Sequence, residues 1–221
     1  MRTVGIIGSG RIGGTVARLA VAGGYSVVVS NSRGPETLAD LVAELGPRAR
    51  AATPAEAAEA GDLVVISIPV RAYTEVPVEP LKGRTVIDTI NYDPRRHGHI
   101  AELDNASITT SEMVREHLPA SRVVKAFNNI FFQTLRVLAR PNGAADRTAL
   151  PIAGDDPDAK ADVSRFLDAI GYDTVDAGPL AEGWRWQPGT PAHLVYAGET
   201  IQVAKPANAE TVRDALAAAT R

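Results

Sequence analysis

The spacing of apolar residues changes twice within the first thirty positions. Residues 3–7, Thr-Val-Gly-Ile-Ile, form a short apolar run of strand type. Ile12 and Val16 then recur at helical spacing, and a glycine pair ends this predicted helix. Val27-Val28-Val29 predicts a second strand. Strand, glycine turn, helix and strand within about thirty residues predict a βαβ unit.

The alternation of strand and helix patterns continues along the chain. Further strands are predicted at residues 50–53, 63–68, 85–88, 122–127, 150–153 and 172–175. Further helices are predicted at residues 35–45, 54–60, 111–118, 134–139, 157–170 and 209–219, with Ser111 as the cap of the third. The polar residues 93–105 predict a loop, and residues 178–207, which hold both tryptophans, match no pattern.

These elements predict an α/β fold with a doubly wound, mostly parallel sheet, because strands and helices alternate and the 63–68 strand is apolar throughout. We expect residues 1–125 to form a nucleotide-binding domain. Residues 126–221 then form a small, tightly packed carboxyl-terminal α/β part that completes a cleft.

The composition excludes several kinds of site and partner. The chain has 221 residues, a net charge of -3 and no cysteine. Disulfides, thiolate nucleophiles and cysteine-ligated metals are therefore excluded, and we predict no metal site. A sequence pI of about 5.8 argues against nucleic-acid binding. No run approaches the ~20 apolar residues of a membrane span. We therefore expect a cytoplasmic protein with neither nucleic-acid nor membrane partners.

The turn between the first strand and helix carries a G-x-G-x-x-G pattern, formed by Gly8, Ser9, Gly10, Arg11, Ile12 and Gly13. Its position within a βαβ unit is the context that indicates dinucleotide binding of the Rossmann type. Gly8 permits the tight turn, Gly10 allows the backbone to approach a pyrophosphate, and Gly13 lets the helix pack closely on the strand.

The end of the second strand indicates which dinucleotide binds. An NAD site has a carboxylate there, whereas this chain has Ser30, Asn31, Ser32 and Arg33. Ser32 and Arg33 offer a hydroxyl and a guanidinium to a 2′-phosphate, which favours NADP(H). The alternative is that this segment only caps the helix that opens at Pro35.

Polar residues and a proline follow the later strands at the sheet edge where α/β proteins bind ligands. Ile68 and Pro69 are predicted to border the nicotinamide-side ribose, although Pro69 could simply end the strand. Asn91 and Asn128-Asn129 offer side-chain amides as candidate donors or acceptors to a ring carbonyl, and they are equally typical of turns.

A side-chain proton donor is not evident, and we predict no catalytic residue. The four histidines, His97, His99, His117 and His193, are interpreted as surface residues, and Lys125 as a structural lysine facing an edge. Hydride transfer between two organic cofactors needs orientation more than acid catalysis. Reduction of a carbonyl would need a nearby acid.

Several motifs in this order resemble the NADPH-dependent reductases of the deazaflavin coenzyme F420 and the reductase domain of membrane metalloreductases. Beyond residues 8–13, they are residues 30–33, 68–69, 123–128, 153–156 and 176–180. The resemblance implies a Rossmann-like NADP(H) domain and a small carboxyl-terminal part. It also implies a second substrate, coenzyme F420 or a flavin, stacked on the nicotinamide.

By the same resemblance, Ser9, Arg11 and Ile12 line the pyrophosphate turn, and Ala126, Asn128 and Ile130 face the second cofactor. This chain departs from the family's pattern at two places that concern the second cofactor. Archaeal members tend to have histidine where this chain has Asn128, and residues 181–188 of this chain stand where those members continue into an apolar helix. Trp184 and Trp186 in this stretch could cover an aromatic ring, contact a partner subunit or pack in the core.

Three functions remain open. The first is an NADP(H)-dependent oxidoreductase that uses F420 or a flavin-like acceptor. The second is a reductase of a small imine or carbonyl, which predicts His193, Tyr92 or Lys125 beside the nicotinamide. The third is a non-catalytic NADPH sensor. We expect a homodimer, because the residues beyond the nucleotide-binding domain are too few for an independent substrate domain.

Overall fold

The computed structural model describes residues 2–221. Eight strands form one sheet in the order β3-β2-β1-β4-β5-β6-β7-β8. The strands are β1 (Thr3–Ile7), β2 (Ser26–Ser30), β3 (Ala49–Ala51), β4 (Leu63–Ile66), β5 (Thr85–Asp88), β6 (Arg122–Lys125), β7 (Ala149–Gly154) and β8 (Asp173–Asp176). All neighbouring pairs are parallel except β6 and β7, which pair antiparallel with Val124 opposite Gly154.

Helices connect the strands and cover both faces of the sheet. They are α1 (Arg11–Ala22), α2 (Ala39–Leu45), α3 (Pro54–Ala60), α4 (Pro94–His97), α5 (Ala101–Asp104), α6 (Thr110–His117), α7 (Phe132–Val137), α8 (Pro157–Ala169) and α9 (Ala209–Ala217). Short 3-10 helices cover residues 35–38, 70–75, 79–81, 180–186 and 191–194.

Successive strand residues point to opposite faces, so each inner strand contributes to two cores. Ile6 and Val65 belong to the cluster that also holds α1 and α8 residues, whereas Ile7 and Val64 belong to the cluster under α3 and α6. This explains the continuous apolar runs, because a parallel strand covered on both sides has no solvent face. The predicted doubly wound, mostly parallel fold is confirmed.

The chain crosses from one side of β1 to the other between β3 and β4, since β1 pairs with both β2 and β4. A crevice opens at such a switch point, beyond the carboxyl ends of the strands. The turns after β1, β2, β4, β5 and β6 all lie at this edge. The fold therefore brings the predicted nucleotide-binding segments together.

Four sequence predictions need correction. Residues 93–105 contain the single-turn helices α4 and α5 and are not a plain loop. Thr109, and not Ser111, caps α6, through reciprocal hydrogen bonds with Glu112. Lys125 does not face an edge, because β6 lies between β5 and β7. Residues 178–207 hold two 3-10 helices and a bridge between Ala197 and Ala204.

The larger core cluster contains residues from both sides of the predicted boundary at residue 125, including Val16 from α1 and Phe166 from α8. The division into two domains stays a prediction. Within residues 2–221, no helix is both long enough and apolar enough to cross a bilayer.

Candidate functional site

The glycine turn after β1 leaves space in some directions and none in others. Gly8 has a φ of 96°, and a Cβ there would lie 2.2 Å from the Ser67 carbonyl oxygen. A Cβ at Gly13 would lie 2.0 Å from the Gly8 carbonyl oxygen. Gly10 differs, because a Cβ there would meet no atom within 4 Å. Gly8 and Gly13 therefore serve the fold, and Gly10 borders open space where a pyrophosphate fits.

Helix α1 begins at this space without a side-chain cap. Its N-cap is Gly10, and no acidic residue lies in its first turn. The free N–H groups and the positive end of the helix dipole suit an anion. The Ser9 hydroxyl donates to the Ser30 carbonyl oxygen at 2.9 Å, which ties the turn to the end of β2.

A groove of about 740 Å³ runs along the turn and past the end of β2. Asn31, Ser32 and Arg33 line one side of it. The Asn31 carboxamide accepts from the Arg33 N–H at 2.9 Å and donates to the Thr37 hydroxyl at 2.8 Å, which shapes the segment. Ser32 and Arg33 are exposed, and within residues 2–221 no carboxylate pairs with Arg33. This corner suits a phosphate.

Ile68 and Pro69 line the opposite side of the same groove, directly after β4. Ser30 does not reach the groove: it is fully buried, and its hydroxyl donates to the Ile6 carbonyl oxygen at 2.8 Å. Its side chain therefore joins β2 to β1, so the expectation that it contacts the nucleotide needs correction.

A second cavity, of about 310 Å³, lies beyond the ends of β5 and β6. Arg11 and Ile12 from the glycine turn line it together with Asn91 and Asn128. The Asn128 amide nitrogen donates to the Asn91 side-chain oxygen at 3.1 Å and to the Trp186 carbonyl oxygen at 3.1 Å. The two strand ends and the tryptophan segment are thus held together around this cavity.

Phe127 stands at the end of β6 with a φ of 64°, in the left-handed region that side chains other than glycine seldom adopt. It is fully buried and lines the cavity. Strained backbone of this kind persists where the surroundings hold it, and it clusters at ligand sites.

Comparisons with known proteins agree with this geometry. Residues 3–92 match the family model described as "NADP oxidoreductase coenzyme F420-dependent". The predicted family resemblance is confirmed. The matched residues run from β1 to the segment that follows β5, and they include the glycine turn and the groove.

Known relatives extend this similarity over more of the chain. Metalloreductase STEAP3 from Rattus norvegicus is 31% identical over 180 residues, which are 80% of this chain and 34% of that protein. The chain therefore spans about a third of that relative's length. A hypothetical protein from Sinorhizobium meliloti has a structure with a TM-score of 0.76 at 26% identity, covering 94% of this chain and 97% of its own.

A candidate F420-dependent NADP reductase from Arthrobacter has the same fold, with a TM-score of 0.66 at 23% identity over 81% of this chain and 85% of its own. Together, these similarities show a shared Rossmann-like fold, and the family model matches the part of the chain that holds the glycine turn and the groove.

Beyond the matched segment, the residues that the F420 resemblance assigns to a second cofactor differ in position. Asn128 and Ile130 line the second cavity, whereas Ala126 is fully buried and does not. Trp186 is also fully buried and belongs to the core. Trp184 is half-buried, and the guanidinium groups of Arg185 and Arg221 lie 4.8 and 5.0 Å from its ring centre.

Two of the three candidate proton donors are engaged elsewhere. The Tyr92 hydroxyl donates to the Asp104 carboxylate and accepts from the Ile100 N–H at 3.0 Å, away from the cavity. Lys125 is fully buried, and its ammonium donates to the Asp88 carboxylate at 3.1 Å and to the Ile90 carbonyl oxygen. Neither side chain can serve a substrate from these positions.

His193 does line the second cavity, so its interpretation as a surface residue is wrong. Burial lowers its pKa, although the Trp186 carbonyl partly opposes that shift. The ring is therefore neutral near pH 7. Among the other histidines, His117 is half-buried and a ring nitrogen lies 2.9 Å from the Val76 carbonyl oxygen, whereas His99 is exposed and contacts Asp104.

Sequence reasoning missed many of the residues that line the second cavity, among them Arg96, Thr134 and Tyr196. Arg96 lies in a helix too short to give a periodic signal, and Tyr196 lies in the unassigned segment. The sequence pattern predicts a helix at Thr134, but it does not indicate that this side chain faces the strand ends. The one sequence feature that could have suggested its position is its closeness along the chain to Asn128-Asn129.

Proposed function

We propose that the chain binds NADP(H) and transfers hydride between the nicotinamide and a flavin-like acceptor, coenzyme F420 or a flavin. One observation carries the proposal: the turn of residues 8–12 lines both the groove and the second cavity. A dinucleotide whose pyrophosphate lies at this turn extends its adenosine half into the groove. Its nicotinamide half then extends toward the cavity.

This chain's own residues would bind and orient the dinucleotide. The open face at Gly10 and the uncapped start of α1 receive the pyrophosphate, and Ser32 with Arg33 receives the 2′-phosphate. Ile68 and Pro69 border the ribose. When bound, NADPH supplies a hydride from C4 of the nicotinamide.

Within residues 2–221, two of the three candidate acids are engaged away from the cavity, which favours a flavin-like acceptor. Tyr92 and Lys125 are occupied, and a neutral His193 is a weak proton donor. A bound deazaflavin or flavin would accept the hydride, and the accompanying proton would come from water, so this transfer requires no side-chain acid. The balanced reaction is NADPH, acceptor and one proton giving NADP⁺ and the reduced acceptor. The protein contributes orientation, which is the main requirement of such a transfer.

The test mixes purified protein with NADPH under anaerobic conditions and offers F420, FMN and FAD in turn. Loss of the reduced-nicotinamide absorbance, matched by loss of the oxidised acceptor's visible absorbance, is expected for at least one of them. NADH in place of NADPH is the control for the dinucleotide. Binding of NADPH without turnover of any acceptor would contradict the proposal and favour a non-catalytic sensor.

A second candidate rests on His193, since this is a titratable side chain in the cavity. Reduction of a small imine or carbonyl would use it to donate or position a proton. A cyclic imine and an aldehyde therefore belong in the same assay. Turnover of the imine that is lost in His193→Gln, with NADPH affinity unchanged, would favour this candidate over the first.

A further inference from the structure

Two side-chain bridges join the chain segments at the ends of β5 and β6. The ladder between these strands ends at Asp88 and Lys125, which lie opposite each other. Their carboxylate and ammonium form the first bridge, an ion pair at 3.1 Å. Asn91 and Asn128 lie three residues further along each segment, and their side chains form the second, the asparagine bridge, at 3.1 Å. The two bridges therefore follow each other along the same pair of segments.

The ion pair and the asparagine bridge differ in their surroundings. Both side chains of the ion pair are 0% exposed. Asn91 and Asn128 instead line the second cavity. The Asn91 amide nitrogen donates to the Asn128 backbone carbonyl oxygen, and the Asn128 amide nitrogen donates to the Asn91 side-chain oxygen. The ion pair cannot touch a molecule in the cavity, so any effect that it has there passes through the residues around it.

Ile90 connects the ion pair to the asparagine bridge. Its N–H donates to the Asp88 carboxylate at 2.9 Å, and its carbonyl oxygen accepts from the Lys125 ammonium and, at 3.3 Å, from the Thr110 hydroxyl. A peptide group is planar, so the Ile90 carbonyl and the Asn91 N–H share one rigid plane. Hydrogen bonds that fix this carbonyl therefore fix the plane from which the Asn91 side chain extends.

The Lys125 ammonium is fully engaged in this arrangement. An ammonium has three N–H donors, and here they go to the Asp88 carboxylate, the Ile90 carbonyl and, at 3.1 Å, the Thr110 hydroxyl. No donor is left to protonate a substrate. A well-packed apolar pair is often as stable as a buried ion pair, so stability alone does not account for this one. Orientation of the neighbouring segment is the role that its contacts support.

We propose that Lys125 is a positioning residue, which sets the place of the asparagine bridge through the Ile90 carbonyl. The bridge in turn limits how the nicotinamide lies in the second cavity. This role rests on the proposed function, because it concerns the same hydride transfer. The phosphates of the dinucleotide are held in the groove, away from the ion pair. Loss of the pair should therefore slow hydride transfer and leave NADPH affinity unchanged.

The first test separates rate from affinity in a variant that leaves no buried charge. Lys125→Met/Asp88→Asn should bind NADPH as the wild type does. Per bound NADPH, it should transfer hydride about 10- to 100-fold more slowly to whichever of F420, FMN and FAD the wild type reduces. Counting bound NADPH removes unfolded protein from the comparison.

The matched control makes the same two exchanges in an ion pair that does not line the cavity. Lys160 on α8 and Asp176 on β8 pair at 2.8 Å, and Lys160→Met/Asp176→Asn should change neither rate nor affinity. A wild-type rate in Lys125→Met/Asp88→Asn overturns the proposal. An equal loss of rate in both double variants does so too, as does a loss of NADPH affinity as large as the loss of rate.

A milder pair of variants keeps the proposal testable if the double variant does not fold. Thr110→Val removes an acceptor from the Lys125 ammonium and a donor to the Ile90 carbonyl, at nearly the same side-chain volume. Thr110→Ser keeps the hydroxyl. Thr110→Val should slow hydride transfer about three- to tenfold, and Thr110→Ser should have the wild-type rate. Equal rates in these two variants overturn the proposal.

A spectroscopic measurement tests the positioning without turnover. In protein labelled with ¹⁵N at asparagine, the side-chain amide signals of Asn91 and Asn128 should shift in Thr110→Val. The signal of Asn31, whose amide donates to the Thr37 hydroxyl at the groove, should not. If the signals shift but the wild type reduces no acceptor, hydride transfer is wrong and the control of the bridge stands. If the wild type reduces an acceptor but neither signal shifts, the function stands and the positioning role is wrong.

Discussion

Two glycines only three positions apart in the phosphate-binding turn have opposite roles, and this can be measured. Gly13→Ala places a methyl group against the Gly8 carbonyl, so we expect a loss of at least about 1–3 kcal/mol in the free energy of unfolding. Gly10→Ala meets no protein atom, so stability should hold, but its methyl group enters the pyrophosphate space. We expect NADPH affinity to fall by at least about tenfold. Urea denaturation and NADPH titration measure the two effects.

The two variants control for each other. Normal NADPH binding by Gly10→Ala would contradict the placement of the pyrophosphate. Normal stability of Gly13→Ala would mean that α1 can move away from β1 at little cost.

Arg33 is a second single residue whose effect can be measured. Its guanidinium is expected to distinguish NADPH from NADH. Charged hydrogen bonds contribute about 1.5–3 kcal/mol, so Arg33→Ala should weaken NADPH binding roughly 10- to 150-fold. NADH affinity should stay as it is. Arg213→Ala, exposed on α9, is the control. If the ratio of NADPH to NADH affinity is unaltered in Arg33→Ala, another residue holds the 2′-phosphate.

His193 gives the molecule a pH dependence of known sign. Burial lowers the pKa of its ring in the folded state, so the unfolded chain takes up that proton first as the pH falls. The stability that the neutral ring contributes is fully present above the unfolded-state pKa of about 6.5. It is lost as the pH falls toward the lower pKa of the folded state.

Urea unfolding of the wild type and His193→Gln at about pH 7.5 and about pH 5.5 measures this contribution. The wild type should lose more stability on acidification than the variant does. Equal losses would show that His193 is as accessible to protons in the folded state as in the unfolded chain.

At the scale of elements, one buried ion pair connects β5, β6 and α6. The Asp88 carboxylate accepts from the Lys125 ammonium at 3.1 Å, from the Ser111 hydroxyl at 2.6 Å and from the Ile90 N–H at 2.9 Å. Lys125→Met would leave this carboxylate buried and without its cation, at a cost of about 3–5 kcal/mol.

The double variant Lys125→Met/Asp88→Asn removes the charge and keeps an oxygen for the Ile90 N–H. It should recover part of the lost unfolding free energy in urea denaturation. A double variant as unstable as the single one would mean that the geometry of the pair, and not the uncompensated charge, carries the cost.

The elements also differ in how far sequence predicts them. The β1–α1–β2 unit follows from local periodicity and glycine placement, so the turn and the groove were predictable. The burial of Lys125 was not, because its partner Asp88 is 37 residues away. The α6 cap at Thr109 was within reach, since Thr109 and Glu112 have the spacing of a capping box. The carboxyl-terminal 3-10 helices have no period long enough to detect.

For the whole molecule, exposed apolar side chains support the expected homodimer. Leu194, Ile201 and Val203 are 54%, 43% and 49% exposed, and the first two line the second cavity. Clustered exposed apolar residues mark interaction surfaces. We expect sedimentation velocity to show a dimer for the wild type and a monomer for Leu194→Glu. Val137→Glu, at an exposed residue outside this cavity, is the control, and a monomeric wild type would contradict the expectation.

The position of Trp186 has an optical consequence. Its indole is fully buried, and its backbone carbonyl oxygen accepts from the Asn128 amide at the second cavity. A fluorophore therefore lies next to the candidate site. Reduced nicotinamide absorbs where tryptophan emits, and Trp184 is the only other indole in the chain. In a Trp184→Phe background, quenching of the remaining emission would follow dinucleotide occupancy directly. The protein thus carries its own probe for the binding step, separate from turnover.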